Sequence, residues 1–172
     1  MKKRFECLVL ALVLLCGLAT GRAFGQGTPF VHEDVSFTVP EGWVSQDIPD
    51  NFEKETRAWL KSEKFEGGSF LVFCYKGWRH NYNNVRIAAL RTLSATAPQG
   101  QEMLKKPEKI RTEKGLTAHW EYWRLAVGDV FLETPVGILQ NNSGWILILG
   151  FSPAASGTQL EEDFMKIVQT IE

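Results

Sequence analysis

The sequence predicts an α+β domain in which helices cover both faces of a central, mostly antiparallel sheet, an α/β/α sandwich. Two runs, residues 70–75 and 145–149, are apolar throughout, and a strand needs this only where both sides of its sheet are covered. Two further segments, residues 85–97 and 160–171, carry apolar side chains at helical spacing. The strand-like segments between them are separated by short turns, which favour hairpins over crossovers.

The chain begins with the features of an export signal. Three basic residues precede an apolar run over residues 7–18, and Ala23-Phe24-Gly25 fits the small-residue rule for cleavage. We therefore expect residues 1–25 to be a signal peptide that is cleaved near Gly25. Residues 26–172 would then form one domain, located in the periplasm or outside the cell.

Two other fates of this leader are disfavoured. An uncleaved anchor needs about 20 apolar residues, and Arg22 interrupts the run before that length is reached. Lipid attachment at Cys16 needs a small residue directly before the cysteine, and Leu15 occupies that position. We expect no stable membrane span after cleavage.

The charge of the exported chain excludes nucleic acid as a partner. Of 19 basic and 20 acidic residues, four and one lie in the leader, which leaves 15 and 19, a net charge of −4. Binding to phosphate backbones or anionic membranes requires clustered lysine and arginine. An acidic chain without a cluster of basic residues does not meet that requirement.

The first strand is predicted from alternating apolar and polar residues. Val35, Phe37 and Val39 alternate with polar residues, the period of a half-buried strand, and Pro40-Glu41-Gly42 then turns the chain into Trp43.

Residues 52–62 fit two structures. Phe52, Thr56 and Leu60 have helical spacing, but alternation from about residue 56 fits a strand. We favour the strand, paired with residues 70–75 through a turn at Gly67-Gly68.

The first predicted helix covers residues 85–97, with Asn83 or Asn84 as its N-cap and Pro98 as its limit. The second, residues 160–171, would begin with a capping box of Thr158 and Glu161.

A meander of strands lies between the helices. Residues 116–125 turn at Gly128-Asp129 into residues 130–139, and residues 141–144 turn the chain into the last central strand. A short strand near residues 109–112 precedes this meander.

The order of these elements resembles the PsbP-like fold family, named for an extrinsic subunit of photosystem II. The segment Val35-Ser36-Phe37-Thr38-Val39-Pro40-Glu41-Gly42-Trp43 is similar to the family's entry strand, and Gly144-Trp145-Ile146-Leu147-Ile148-Leu149 with the last helix is similar to its exit. The family also includes a nuclear Ran-binding protein of the Mog type and bacterial exported domains. The resemblance implies an α/β/α sandwich and an accessory or binding role, without common catalytic residues.

Cys74 is the single cysteine after the predicted cleavage, and it lies within an apolar run. It is interpreted as a buried core residue. The alternative is a small thiol-dependent enzyme that uses Cys74 with His80 or His119, since a reactive thiol needs a neighbouring base.

No metal site or cofactor is predicted. His32, His80 and His119 show none of the short spacings of zinc ligands. The sequence also lacks a Gly-x-Ser-x-Gly elbow and a phosphate-binding glycine loop.

The candidate binding residues are Trp78, Arg79, His80 and Tyr82. They lie in the connection from a central strand to the first helix, and Trp, Tyr and Arg are the residue types enriched at recognition hot spots. A second aromatic cluster, residues 119–124, is interpreted mainly as core, with Arg124 stacked on a ring.

We therefore expect an exported, non-enzymatic accessory or binding module for an unidentified protein partner in the cell envelope. A carrier of an apolar ligand is a further alternative, and it requires a cavity that sequence alone does not reveal.

Overall fold

The structure, a computed structural model, describes residues 27–77 and 80–172. The predicted signal peptide, residues 1–25, lies outside the described residues and stays a prediction. Trp78 and Arg79 also lie outside them.

The described chain forms an α+β domain with two helices. Its strands are β1 (Thr28–His32), β2 (Val35–Val39), β3 (Trp43–Ser45), β4 (Thr56–Ser62), β5 (Ser69–Tyr75), β6 (Gln101–Arg111), β7 (Thr117–Val127), β8 (Val130–Gln140) and β9 (Trp145–Pro153). The helices are α1 (Tyr82–Thr96) and α2 (Gly157–Thr170), and a short 3-10 turn (Ala154–Ser156) precedes α2.

Seven strands form one antiparallel sheet in the order β3-β4-β5-β9-β8-β7-β6. β9 lies in the middle, and β5 pairs with it from Ser69↔Phe151 to Tyr75↔Trp145. The predicted α+β class, the two central strands and the meander are therefore confirmed.

The entry strand β2 is present but does not belong to this sheet. It pairs with β1 in a separate two-stranded sheet. On its other side, Ser36 exchanges two backbone hydrogen bonds with Glu172, at 3.1 and 2.9 Å. The ends of the described chain are thus joined through β2.

Residues 56–62 are a strand, as predicted. Trp59 pairs with Leu71 across the β4–β5 ladder. Phe52, which suggested a helix by its spacing from Thr56 and Leu60, lies in the loop before β4. Its ring packs 5.4 Å from the Trp59 ring.

Two apolar core clusters each contain one helix. Ile146 and Ile148 of β9 pack in the cluster that includes Leu160, Phe164 and Ile167 of α2. Leu147 and Leu149, the alternating residues of the same strand, pack in the cluster that includes Val85, Ala89 and Leu93 of α1. The continuous apolar run of β9 is therefore divided between two cores.

Both predicted helix starts are wrong in detail. α1 begins at Tyr82 because Asn81, in extended conformation, accepts a 3.0 Å hydrogen bond from the Asn84 N–H and is the N-cap. α2 begins at Gly157 after Ser156 without a side-chain cap, so the Thr158–Glu161 capping box does not form. Glu161 pairs instead with Lys105 of β6.

The short strand predicted near residues 109–112 is an eleven-residue edge strand, β6. Most of its residues are exposed, so no apolar alternation marked it in the sequence. Its lysines, Pro107 and two irregularities in pairing with β7 are the features that protect an exposed sheet edge from pairing with another chain.

Asp163 of α2 is fully buried and joins three parts of the fold. Its carboxylate accepts hydrogen bonds from Trp43 Nε1 at 2.9 Å, Lys64 Nζ at 3.0 Å and Lys166 Nζ at 2.8 Å. Burial opposes its ionisation, but the bonds from Lys166, Trp43 and Lys64 outweigh burial, and the pKa of Asp163 lies below its ordinary value. The charged form therefore stabilises the folded state.

Replacing Asp163 with asparagine is expected to lower the free energy of unfolding by about 3 kcal/mol at pH 7, because two ammonium groups lose their shared carboxylate. Since the folded pKa is lowered, this contribution is complete above the unfolded pKa of about 4 and disappears as the pH falls through the folded value. Urea unfolding at pH 7 and below pH 4 measures both effects.

The matched control is Asp129→Asn at the exposed β7–β8 turn, which should change stability by less than about 0.5 kcal/mol. Equal stability of the Asp163 and Asp129 variants at pH 7 would contradict the role of the buried carboxylate.

Candidate functional site

An open, mostly apolar cleft lies between helix α1 and strands β4 and β5. Its volume is about 410 Å³, within the range of ligand sites in proteins. Its lining comes from several elements: Asn51, Phe52, Glu53, Trp59, Lys61, Ser62, Glu66, Gly67, Gly68, Ser69, Leu71, Phe73, Thr92, Thr96, Leu132 and Phe151.

The width of the sheet explains the position of the cleft. α1 packs on β7, β8 and β9, and a helix about 10–12 Å wide covers two to three strands spaced about 4.8 Å apart. β4 and the adjoining part of β5 lie beyond this reach. Their side chains on the α1 face form the cleft floor.

The floor is aromatic and aliphatic. Trp59 and Leu71, which pair across β4 and β5, meet Phe73 of β5 and Phe151 of β9 there. The Phe52 ring packs on Trp59 from the loop, and Lys61 Nζ lies 4.9 Å above the Trp59 ring centroid. This surface suits an apolar group.

The two threonines that α1 contributes to the cleft lining both have hydrogen-bonded hydroxyl groups. Thr92 Oγ1 donates to the Ala88 carbonyl at 3.2 Å, and Thr96 Oγ1 donates to the Thr92 carbonyl at 2.9 Å. Both hydroxyl protons are therefore used within α1, and an apolar ligand would not strip either hydroxyl of its bonding partner.

A carboxylate lies at one end of the cleft. Glu53, part of the lining, accepts a 3.5 Å hydrogen bond from the Tyr75 hydroxyl. Burial raises the pKa of Tyr75, and the charges of Glu53 and Glu55 raise it further. Tyr75 therefore stays protonated and donates to Glu53.

The structure separates the described members of the predicted binding loop. The His80 ring packs 5.5 Å from the Tyr75 ring, near the Glu53 end of the cleft. The Tyr82 ring packs 4.4 Å from the His119 ring on β7. Trp78 and Arg79 lie outside the described residues, so their part of the prediction stays a prediction.

Buried Asp34 fixes the start of this loop, and the sequence did not reveal it. Asp34 lies in the turn between β1 and β2, where it is buried and pairs with Arg57 at 2.7 Å and with Lys76. The hydrogen bond from Lys76 lowers the pKa of Asp34 against the opposing effect of burial, and Arg57 lowers it further. Nothing in the pattern of residues 30–34 marked this aspartate as buried.

The described residues do not form the thiol–imidazole pair that the thiol-enzyme alternative requires, and the interpretation of Cys74 as a core residue is confirmed. The Cys74 side chain is fully buried, and burial raises the pKa of its thiol, helped by the charge of Asp34. His80 and His119 pack against Tyr75 and Tyr82 instead. Tyr75 belongs to the α1 cluster, and adjacent strand residues point to opposite faces.

The second aromatic cluster is core, as expected. Trp120 and Tyr122 pack in the α2 cluster, and Trp123 packs in the α1 cluster. Arg124, predicted to stack on a ring, donates to Glu133 at 2.9 Å.

Within residues 27–77 and 80–172, no group of three or more His, Cys, Asp or Glu side chains is arranged to hold a metal ion. No helix in the described part of the chain has the length and apolar character needed to cross a bilayer.

Comparison with known proteins gives structural likeness alone. No family model matches the sequence, and no curated protein matches it. Among solved structures, cyanobacterial PsbP (CyanoP) from Synechocystis sp. PCC 6803 is similar with a TM-score of 0.65 and 13% identity, over 91% of this chain and 98% of that one. The chain has a PsbP-like fold.

Two further structures share this PsbP-like fold. LpqN of Mycobacterium tuberculosis, described as involved in cell envelope biogenesis, has a TM-score of 0.60 and 11% identity over 84% of this chain and 88% of its own. A protein from Bacteroides thetaiotaomicron has a TM-score of 0.56 and 13% identity over 86% of this chain, which spans about half (48%) of its length. The resemblance predicted from the sequence is confirmed at the level of the fold.

Proposed function

We propose that the protein is an exported, non-enzymatic binding module that holds an apolar group of its ligand in the cleft beside α1. The observation that carries this proposal is the open, aromatic-floored volume of about 410 Å³. A concave, mostly apolar pocket of this size with a few polar groups in its lining is the usual form of a ligand site.

The polar groups around the cleft support a binding role. The α1 hydroxyls bond within their helix, and Cys74 is buried with a raised pKa. An envelope accessory role is compatible with the fold of LpqN, described as involved in cell envelope biogenesis. Export rests on the predicted signal peptide.

The proposal includes the predicted sandwich, with α1 and α2 on opposite faces of the sheet. Its support is the division of β9, whose alternate residues pack with different helices, since successive strand residues point to opposite faces. In this arrangement α2 cannot reach the cleft, and the floor stays open to a ligand.

Replacing Leu71 in the cleft floor with glutamine is expected to weaken binding of N-phenyl-1-naphthylamine, a neutral apolar fluorophore, about fivefold. The reason is the loss of roughly 1 kcal/mol of apolar contact. Fluorescence titration measures the affinity, and circular dichroism checks the fold.

The matched control is Leu104→Gln on edge strand β6, where the leucine is exposed and lies outside the cleft lining. It should bind the fluorophore as the unaltered chain does. Equal loss in both variants, or no binding by the unaltered chain, would contradict the proposed site.

The predicted protein-binding residues, Trp78, Arg79, His80 and Tyr82, remain proposed as a partner surface, and His80 is the member whose contacts lead to the cleft. The supporting observation is a continuous set of contacts: His80 packs on Tyr75, and Tyr75 donates to Glu53 of the cleft lining. A partner with an apolar group in the cleft would then pass over His80.

Replacing Trp78 and His80 with alanine is expected to reduce capture of envelope proteins by the immobilised chain at least tenfold, because hot-spot aromatics carry about 2 kcal/mol or more. Phe131→Ala, which removes an exposed ring on the β7–β8 hairpin, is the matched control and should leave capture unchanged. Unchanged capture by a correctly folded Trp78/His80 variant would remove this surface from the proposal.

A further inference from the structure

Carboxylates lie at both ends of the cleft. Glu53 lies at the Tyr75 end of β5, next to the Tyr75 hydroxyl, and Glu66 lies at the turn that leads into Ser69 at the other end. The seven residues of β5 separate these ends by roughly 20 Å, at about 3.3 Å per residue. The apolar floor therefore lies between two acidic ends.

These two carboxylates are available to a ligand. Glu53 and Glu66 are exposed, and within the described part of the chain neither forms an ion pair with a basic side chain. Lys61, the basic residue of the lining, is held over the Trp59 ring. An incoming cation at either end would thus meet a carboxylate.

The loop beside the Glu53 end adds negative charge. Residues 46–55 contain four carboxylates, at Asp47, Asp50, Glu53 and Glu55, and one lysine, Lys54. Charge complementarity of this kind favours a partner of opposite charge and speeds its association. The cleft therefore favours a ligand with positive charge beside its apolar group.

The shape of the cleft favours a polypeptide over a small molecule. Small ligands bury about 70–90% of their surface in their sites, and this cleft is only partly enclosed. An extended segment passes through an open cleft, leaves an apolar side chain on the floor and reaches both ends. It also continues over His80, which packs on Tyr75.

We infer that the occupant of the cleft is a segment of a partner protein that places an apolar side chain on Trp59 and Leu71 and a lysine or arginine beside Glu53 or Glu66. This inference rests on the proposed function of the cleft and names the chemistry of its ligand. The apolar contact supplies most of the affinity, and the two carboxylates make the cleft prefer a positively charged segment.

Three labelled decapeptides test the inference by fluorescence anisotropy. They share a Leu-Phe-Leu centre, and the residues flanking it on both sides are lysine, glutamine or glutamate. The lysine peptide should bind about two- to fivefold more tightly than the glutamine peptide, the range of partly exposed ion pairs, and the glutamate peptide should bind most weakly. The difference should shrink at 0.5 M salt, where charges are screened beyond about 4 Å.

The double variant Glu53→Gln/Glu66→Gln should abolish the affinity difference between the lysine and glutamine peptides. Glu108→Gln on edge strand β6 removes an equally exposed carboxylate outside the cleft and should preserve the difference. Persistence of the difference in the double variant would overturn the assignment of Glu53 and Glu66.

The remaining outcomes separate this inference from the function on which it rests. If all three peptides displace N-phenyl-1-naphthylamine with equal affinity, the charge preference is wrong and the apolar cleft stands. If neither the peptides nor the naphthylamine bind, the proposed function itself fails. If dodecyltrimethylammonium displaces the naphthylamine and no peptide does, the occupant is a small cationic amphiphile, which overturns the choice of a protein segment.

Discussion

The width of one helix relative to a seven-stranded sheet is the constraint on which the rest of the site depends. α1 packs on β7, β8 and β9, and a single helix covers only two to three strands. The α1 face of β4 and β5 is therefore left to a loop ring, Phe52, and to a cleft. The site follows from incomplete coverage of an apolar sheet.

The rest of the fold holds this open surface in place. Asp163, in the middle of α2, joins Trp43 of β3 to Lys64 beyond β4, so the edge of the sheet beside the cleft is tied to a helix. Asp34 ties Arg57 of β4 to Lys76 after β5. Both strands of the cleft floor are thus fixed by buried carboxylates, which keeps the floor in one arrangement while its surface stays accessible.

The sequence predicted the strands and turns that local residue patterns determine. It missed the features that depend on which side chains other elements of the fold cover. Unbroken apolar runs predicted β5 and β9, and the glycine and asparagine turns predicted the meander. Edge strand β6 was underestimated because an exposed strand carries no apolar alternation. Leu71 looks like a core residue in the sequence but is only half-buried at the cleft, because apolarity does not show whether anything lies above a side chain. The buried aspartates were missed for the converse reason, since all of their side-chain hydrogen-bond partners except Lys166 are 23 to 120 residues away.

The most direct test of the central claim is an amide chemical-shift titration of the isotopically labelled protein with N-phenyl-1-naphthylamine. The account predicts saturable shift changes concentrated at Trp59, Leu71, Phe73 and Thr92, and little change at Ile146, Ile148 and Phe164 in the α2 cluster. Shift changes centred on the α2 cluster, or no shift changes at any ligand concentration, would show that the cleft beside α1 is not a binding site.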